Sequence, residues 1–263
     1  MTALSYTRLL NQTLELYEKE GSLKAYRFIT ENADGVKGNQ AQLFNFKYAL
    51  ASASGLEEEA LNMMKQAIHE HGYWYGFEYL ATDEDLKPLH KYEEFQRMLQ
   101  LCKQREQDAK REAKPQLKVI SAPGSEAACP LLMALHGDQE NMEMTEPNWD
   151  LTGQRKMKLA LVQSSHIQFS DGYEWDDVEQ GVKEAALHYK QLKNMTNIDG
   201  GTIIGGFSAG AQVALKAMLD EELKAKGFVL VAPWLPELEA WAGQLKLLKE
   251  KGIKGYIICG DQD

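Results

Sequence analysis

The chain has 263 residues, enough for one large domain or two smaller ones, and its composition of 44% hydrophobic and 26% charged residues is typical of a globular protein. No run approaches the roughly 20 apolar residues of a membrane helix and no signal peptide precedes the first helical pattern, so we expect a cytoplasmic protein without a membrane span. A formal net charge of −10 opposes binding to a phosphate backbone, so we expect no nucleic-acid partner.

The three cysteines, Cys102, Cys129 and Cys259, do not have the paired spacing of metal ligands. An odd number favours a reducing compartment over a disulfide framework. We therefore expect a structural role for each of them, and we expect neither a metal nor an organic cofactor.

The first part of the chain, residues 1–113, is predicted to be an all-helical domain. From Leu4 to about Ala113 apolar residues recur at helical spacing, and glycines interrupt the pattern where helices should end. The clearest pair of helices, 41–54 and 56–71, meets at Gly55, as expected for an antiparallel helical hairpin.

Part of this domain resembles a known repeat. Segments 48–55 and 59–68 resemble a tetratricopeptide repeat, with small residues where helices cross closely, and segment 83–99 is similar to the segment that often closes such arrays. The resemblance covers residues 40 to 105 and implies a short helical-repeat domain, for which a protein or peptide partner is an open possibility.

A polar segment separates this domain from the rest of the chain. Residues 103–112 carry mixed charges typical of a solvated helix end, and Lys114 followed by Pro115 blocks further helix. We therefore place the domain boundary here, with the second domain spanning residues 114–263, and expect the polar segment to be sensitive to proteases.

Beyond the boundary the pattern changes to short β-branched or apolar runs that alternate with helical stretches. This alternation predicts an α/β domain with a mostly parallel sheet, helices on both faces, and ligand sites at the carboxyl ends of the strands. The predicted strands are 117–121, 131–136, 159–164, 202–207, 228–232 and 256–259.

Residues 206–210 read Gly-Phe-Ser-Ala-Gly, with a buried-strand pattern before them and a helical pattern after them. This context is the one required of a nucleophile elbow, where a serine occupies a tight turn between strand and helix. Small residues leave room for the neighbouring strand and helix. Ser208 is therefore the candidate nucleophile, although so short a pattern also arises by chance.

Together with residues 131–138, where an apolar run leads into His136 and Gly137, and residues 256–263, this elbow resembles the α/β-hydrolase superfamily. The resemblance spans about residues 131–263 and is closest to small carboxylesterases and acyl-protein-thioesterase-like enzymes. It implies that the backbone N–H groups of Ala209 and Asp138 hold the oxyanion, with Gln139 open as an alternative to Asp138. His136 is then interpreted as a residue that shapes the loop.

The same resemblance implies that the acid of the triad is Asp263, in a strand ending Gly-x-x-Asp, with Asp261 as the alternative. The expected order is serine, acid, histidine, and no histidine follows Asp263. The remaining candidates for the base are His166 and His188, because His69, His71 and His90 fall in the helical domain. We therefore expect this chain to be a shortened form whose missing tail carries the base, leaving an apolar strand edge that favours association.

Three side chains after the elbow, Trp234, Leu235 and Trp241, are candidates to line a substrate pocket, although aromatic residues near a helix start are often core. The segment 169–177 is an acidic loop expected to border the cleft. The sequence thus predicts a serine hydrolase acting on a small-molecule ester or thioester. The alternative is a catalytically incomplete hydrolase-fold scaffold that binds peptides or proteins through its helical domain.

Overall fold

A computed structural model describes residues 4–121, 129–150, 157–195 and 198–260 of the chain. The chain divides into two compact units. The first comprises Met1–Glu112 together with Gln168–Asp171, and the second comprises Ala113–Ile167 together with Gly172–Asp263.

The first unit is helical, as the apolar spacing predicts. Within its described part the elements are α1 (Tyr6–Glu20), α2 (Ser22–Asn32), α3 (Gln40–Ala53), α4 (Glu57–Lys65), a π-helical turn (Gln66–Glu70), α5 (Phe77–Thr82), a 3-10 segment (Glu84–Lys91) and α6 (Glu93–Glu112).

The hairpin predicted at Gly55 is present between α3 and α4. Gly55 has a φ of +78°, and the Leu56 N–H donates to the Ala51 carbonyl at 2.9 Å while the Gly55 N–H donates to the Ser52 carbonyl at 3.0 Å. This is the Schellman arrangement, in which a glycine in the left-handed region satisfies the last carbonyls of a helix.

The charged run 103–112 is more than a solvated helix end. Helix α6 continues through it, and the Arg105 guanidinium donates to the carbonyls of Ile68 and Tyr73 at 2.6 and 2.9 Å. The Glu106 carboxylate accepts the Phe77 N–H at 2.7 Å. These side chains satisfy backbone groups at the ends of neighbouring helical segments, which a reading of the charge pattern alone does not predict.

Four residues from the second half of the sequence, Gln168–Asp171, belong to the first unit. Ser170 is their anchor. Its N–H donates to the Trp74 carbonyl at 3.1 Å, its Oγ accepts the Trp74 N–H at 2.8 Å, and its carbonyl accepts from the Asn39 side chain at 3.1 Å.

The second unit alternates strands and helices. Its described elements are β1 (Gln116–Ser121), β2 (Cys129–Leu135), α7 (Met142–Trp149), β3 (Lys158–Gln163), β4 (His166–Phe169), β5 (Gly172–Glu174), α8 (Val178–Met195), β6 (Ile198–Phe207), α9 (Ala209–Leu219), β7 (Gly227–Val231), α10 (Leu238–Glu250) and β8 (Lys254–Ile258). The last two residues of β4 are among the four that belong to the first unit. The loop expected at 169–177 is instead largely the short hairpin of β4 and β5.

Six of these strands form one sheet in the order β1-β3-β2-β6-β7-β8. Strand β1 runs antiparallel to β3, and the other neighbours are parallel. The predicted α/β class, with a mostly parallel sheet, is confirmed.

Strand β2 shows why the sheet is covered on both faces. Leu131, Met133 and Leu135 lie in one core cluster, whereas Leu132 and Ala134 lie in another. Successive side chains of a strand point to opposite faces, so a continuous apolar run requires a layer on each side. This places the carboxyl end of β2, and the loop that follows, at the rim of a rigid sheet.

Candidate active site

Ser208 lies between the end of β6 and the start of α9. Its backbone has φ +51° and ψ −121°, a conformation that non-glycine residues rarely adopt. Such strain persists only where surrounding structure enforces it, and it is concentrated at functional sites. Ser208 is half-buried, and its Oγ has no hydrogen-bond partner among the described residues.

The glycines of the pentapeptide are required by close approach. A Cβ on Gly206 would lie 2.5 Å from the Ala211 Cα, and a Cβ on Gly210 would lie 2.1 Å from the His136 carbonyl oxygen. Because Gly206 has no side chain, the backbone can turn sharply from β6 into α9. Because Gly210 has no side chain, the start of α9 can lie against the His136 carbonyl, so the elbow and the loop after β2 are in direct contact.

Three backbone hydrogen bonds fix Ser208 in place. Its N–H donates to the Val231 carbonyl at 3.0 Å. Its carbonyl accepts from the N–H groups of Ala211 at 3.0 Å and Trp234 at 3.2 Å. The strained turn is therefore held by the end of β7, by the segment after β7 and by its own helix.

His136, at the end of β2, is fully buried and shapes the facing loop. Its Nε2 accepts the Ser164 N–H at 3.1 Å, so Nδ1 carries the proton and donates to the Gly137 carbonyl at 2.6 Å. Burial lowers the pKa of His136 to about 4, and its ring stacks on Trp175 at 4.8 Å. A neutral imidazole with both nitrogens engaged does not act as a general base.

The loop after His136 presents three consecutive backbone N–H groups, and two of them are engaged. The Gly137 N–H donates to the Glu140 carboxylate at 3.0 Å, and the Gln139 N–H donates to the Tyr173 carbonyl at 2.7 Å. The Asp138 N–H has no acceptor among the described residues. Of the two donors left open by the sequence, the geometry therefore favours Asp138.

On the other segment, the Ala209 N–H likewise has no acceptor among the described residues, as expected for the first residue of a helix. Ala209 and Asp138 thus lie on two segments that touch, each with an available N–H. The positive end of the α9 dipole adds to the attraction for a developing negative charge.

The candidate pocket residues fall into two groups. Trp234 is 57% exposed, and its backbone bond to Ser208 keeps it beside the elbow. Trp241, at 6% exposure, belongs to the core, and Leu235 packs against that core. Core packing is therefore the reading that the structure favours for Trp241 and Leu235. The candidate acids Asp261 and Asp263 lie outside the described residues.

The two histidines considered as bases are placed differently. His166 pairs through Nδ1 with the Asp176 carboxylate, while His188 is buried on α8 with Nδ1 facing the Gln191 side chain. The three histidines of the helical domain belong to the first unit. No histidine of the described residues is hydrogen-bonded to Ser208.

Sequence reasoning placed segment 169–177 at the cleft and named His166 as a candidate base, but it missed Glu140, the bonds of Tyr173 to the loop after β2, and the pairing of His166 with Asp176. Tyr173 is 34 residues from Gln139, and such pairings leave no local signal. The signal that was available is the carboxylate three residues after Gly137, a spacing that suits capture of a turn N–H.

Two properties of the described residues bear on cofactors and membranes. No group of three or more histidine, cysteine, aspartate or glutamate side chains there is arranged to hold a metal ion. Within the same ranges, no helix combines the length and apolar character needed to cross a bilayer.

The chain belongs to the α/β-hydrolase superfamily. Residues 5–110 match the family model described as "A/B hydrolase-like, N-terminal domain", and residues 132–262 match "Phospholipase/Carboxylesterase". The second match supports an ester-hydrolase function. The first describes the helical unit as a domain associated with such hydrolases, and the resemblance to a tetratricopeptide repeat is not confirmed.

Among solved structures, an uncharacterized protein from Bacillus cereus ATCC 10987 is 51% identical over 99% of this chain and 84% of its own, with a TM-score of 0.50. A Bacillus cereus carboxylesterase is 16% identical over 60% of this chain and 90% of its own, with a TM-score of 0.43. Acyl-protein thioesterase 2 of Zea mays is 17% identical over 52% and 69%, with a TM-score of 0.38. A comparison with curated proteins found no match.

Proposed function

We propose that this protein is a serine hydrolase that cleaves carboxylic ester or thioester bonds of small or medium acyl substrates through an acyl-enzyme. The strained backbone of Ser208, beside two available N–H groups on contacting segments, is the observation that carries the proposal. A binding protein has no evident need to hold an unpartnered serine in this conformation.

In the proposed reaction the Ser208 Oγ attacks the acyl carbon, and its proton passes to a histidine base. The Ala209 and Asp138 N–H groups stabilise the oxyanion of the tetrahedral intermediate, each worth about 3 to 4 kcal/mol by analogy with other hydrolases. Collapse expels the alcohol or thiol and leaves an acyl-serine, which water then hydrolyses. Asp263, with Asp261 as the alternative, is proposed to orient the histidine.

The base itself is the open position of the mechanism. His136 is excluded by the engagement of both its nitrogens, and His188 is buried on α8. His166 has a carboxylate partner in Asp176, which is a property of catalytic histidines, but among the described residues it is not hydrogen-bonded to Ser208. We propose that the base is a histidine other than His136 and His188.

The surroundings suggest which substrates are favoured. Asp138, Asp176 and Asp177 are exposed near the loop after β2, and they disfavour strongly anionic substrates by like-charge repulsion. The exposed indole of Trp234 offers an apolar surface for an acyl or leaving group. Neutral esters of modest size fit both features.

Turnover of a short p-nitrophenyl ester tests the proposal in any catalytically complete form of the protein. Ser208→Ala is expected to fold normally, because alanine suits the same turn, and to lose hydrolysis by several orders of magnitude. Ser208→Ala retaining more than about a tenth of wild-type turnover would show that Ser208 is not the nucleophile. A folded wild type without esterase activity would favour the scaffold alternative.

A further inference from the structure

We propose that Glu140 is a positioning residue for the oxyanion loop, the segment from His136 to Glu140. By capturing the Gly137 N–H, its carboxylate sets the orientation in which the Asp138 N–H points toward the reacting carbonyl. This inference rests on the proposed function.

The contacts of Glu140 close a small ring around Asp138. The Glu140 carboxylate accepts the Gly137 N–H at 3.0 Å, and the Glu140 N–H donates back to the Gly137 carbonyl at 3.3 Å. These two bonds fix the turn from both of its ends. Asp138 and Gln139 lie inside the turn, and Gln139 has a φ of +62°, so the turn has little freedom to rearrange without breaking these bonds.

Strand β5 completes the clamp. The Tyr173 carbonyl accepts the Gln139 N–H at 2.7 Å, and the Tyr173 N–H donates to the Glu140 carbonyl at 3.1 Å. The Asp138 carboxylate in turn accepts the Trp175 N–H at 3.1 Å. The N–H groups of Gly137, Gln139 and Glu140 are thus bonded, whereas the Asp138 N–H has no acceptor among the described residues.

Glu140 acts on this backbone from within the loop, by accepting the Gly137 N–H through its side chain. It is half-buried, and burial raises the pKa of its carboxyl group. A partly buried carboxylate costs free energy unless it is hydrogen-bonded. The absence of a side chain at Gly137 leaves room for the Glu140 carboxylate. A Cβ on Gly137 would lie 2.5 Å from the Phe207 ring and 3.4 Å from that carboxylate.

The test compares Glu140→Gln, Glu140→Asp and Glu140→Leu. Glutamine keeps an acceptor oxygen at the same reach, aspartate keeps the charge but shortens the reach, and leucine removes the acceptor. Glu143→Leu is the matched control, since Glu143 is exposed three residues further on. Ser208→Ala reports separately on the proposed function.

Two readouts are measured on each folded variant. Amide hydrogen exchange at Gly137 and Gln139 reports whether the loop is held. The rate of Ser208 labelling by a fluorophosphonate, and kcat and KM where turnover is measurable, report whether the oxyanion donor is in place. Misplacing a catalytic group by about 1 Å costs up to about a hundredfold in rate.

We expect Glu140→Leu to exchange faster at Gly137 and to lose about tenfold or more in labelling rate and kcat, with KM unchanged. The exchange rate, labelling rate and kcat of Glu140→Asp should lie between those of Glu140→Leu and the wild type. Those of Glu140→Gln and Glu143→Leu should match the wild type. If Glu140→Leu does not fold, the Asp and Gln variants carry the same comparison.

Unchanged Gly137 exchange in Glu140→Leu, or in Glu140→Asp where Leu does not fold, would overturn the inference, as would faster exchange with unchanged labelling and kcat. An equal loss in Glu140→Gln would also overturn it, because the amide retains the acceptor. Labelling that is the same in Ser208→Ala as in the wild type would instead defeat the proposed function, and the inference with it.

Discussion

Ser208 has a backbone conformation that non-glycine residues rarely adopt, and strain of this kind costs about 1 to 3 kcal/mol. Its bonds to Val231, Ala211 and Trp234 offset that cost. The Gly-x-Ser-x-Gly spacing predicts the position of the serine, whereas its bonds to residues 231 and 234 depend on the sheet and have no local signature. The same holds for Asp138, which is favoured over Gln139 only once the Tyr173 bond is known.

His136 predicts a specific dependence of stability on pH. Its pKa is lowered from an ordinary 6.5 to about 4 in the folded chain, so between these values the unfolded chain binds more protons. Stability is therefore full above about pH 6.5 and declines as the pH falls toward 4, by as much as about 3 kcal/mol. Urea denaturation at several pH values measures this decline.

The control for His136 is His136→Gln, which cannot titrate. Asp138 and Glu140 have raised pKa values and contribute the opposite slope, so the two proteins must be compared with each other. We expect the variant to be less stable than the wild type at pH 7.5, and its free energy of unfolding to change less between pH 7.5 and pH 5. Identical slopes would mean that His136 is not the source.

Two helix glycines give a paired prediction about the elbow. Gly210→Ala places a Cβ against the His136 carbonyl, whereas Gly243→Ala, in α10, meets nothing within 4 Å. We expect Gly210→Ala to destabilise the protein by about 2 kcal/mol or more, and Gly243→Ala to be neutral or to stabilise by up to about 1 kcal/mol. Thermal unfolding of both variants checks this, and a harmless Gly210→Ala would contradict the close contact between α9 and the loop.

At the scale of elements, the six strands of the sheet were predictable because each is a compact apolar run between helical patterns. The β4–β5 hairpin was not, because four and three residues are too few to show alternation. Tyr173 of this hairpin pairs with Glu140, in the loop after β2, through an isolated antiparallel bridge. Elements of this size depend on tertiary contacts for their stability.

Strand β8 predicts association of the 263-residue chain. It pairs with β7, and among the described strands none covers its other edge, where Tyr256 and Ile257 are 75% and 61% exposed. Exposed apolar edge strands pair with other chains. Sedimentation velocity over a concentration series should show association that Ile257→Lys reduces.

Leu187→Lys is the matched control for that measurement, since Leu187 is 58% exposed but lies on helix α8. It should leave the association unchanged. A wild type that sediments as a monomer at all concentrations, or equal effects of the two lysine variants, would refute the role of the β8 edge.

At the scale of the whole molecule, the change from helical to alternating pattern near Pro115 corresponds to two matches, one to a hydrolase-associated N-terminal domain and one to phospholipases and carboxylesterases. Periodicity predicted that the first unit is helical. Repeat identity did not follow from it, because small residues at helix crossings are common to many helical domains. The resemblance implies Asp263 or Asp261 as the acid, and both lie outside the described residues.

The most direct measurement of the central claim is the site of covalent labelling by a fluorophosphonate, located by peptide mass spectrometry on a folded, catalytically complete form of the protein. An activated serine in the oxyanion site should take the label on the peptide that contains Ser208, and Ser208→Ala should abolish it while leaving the melting temperature within a few degrees of the wild type. Labelling at a different residue, or labelling that persists in Ser208→Ala, would contradict the assignment of Ser208 as the nucleophile.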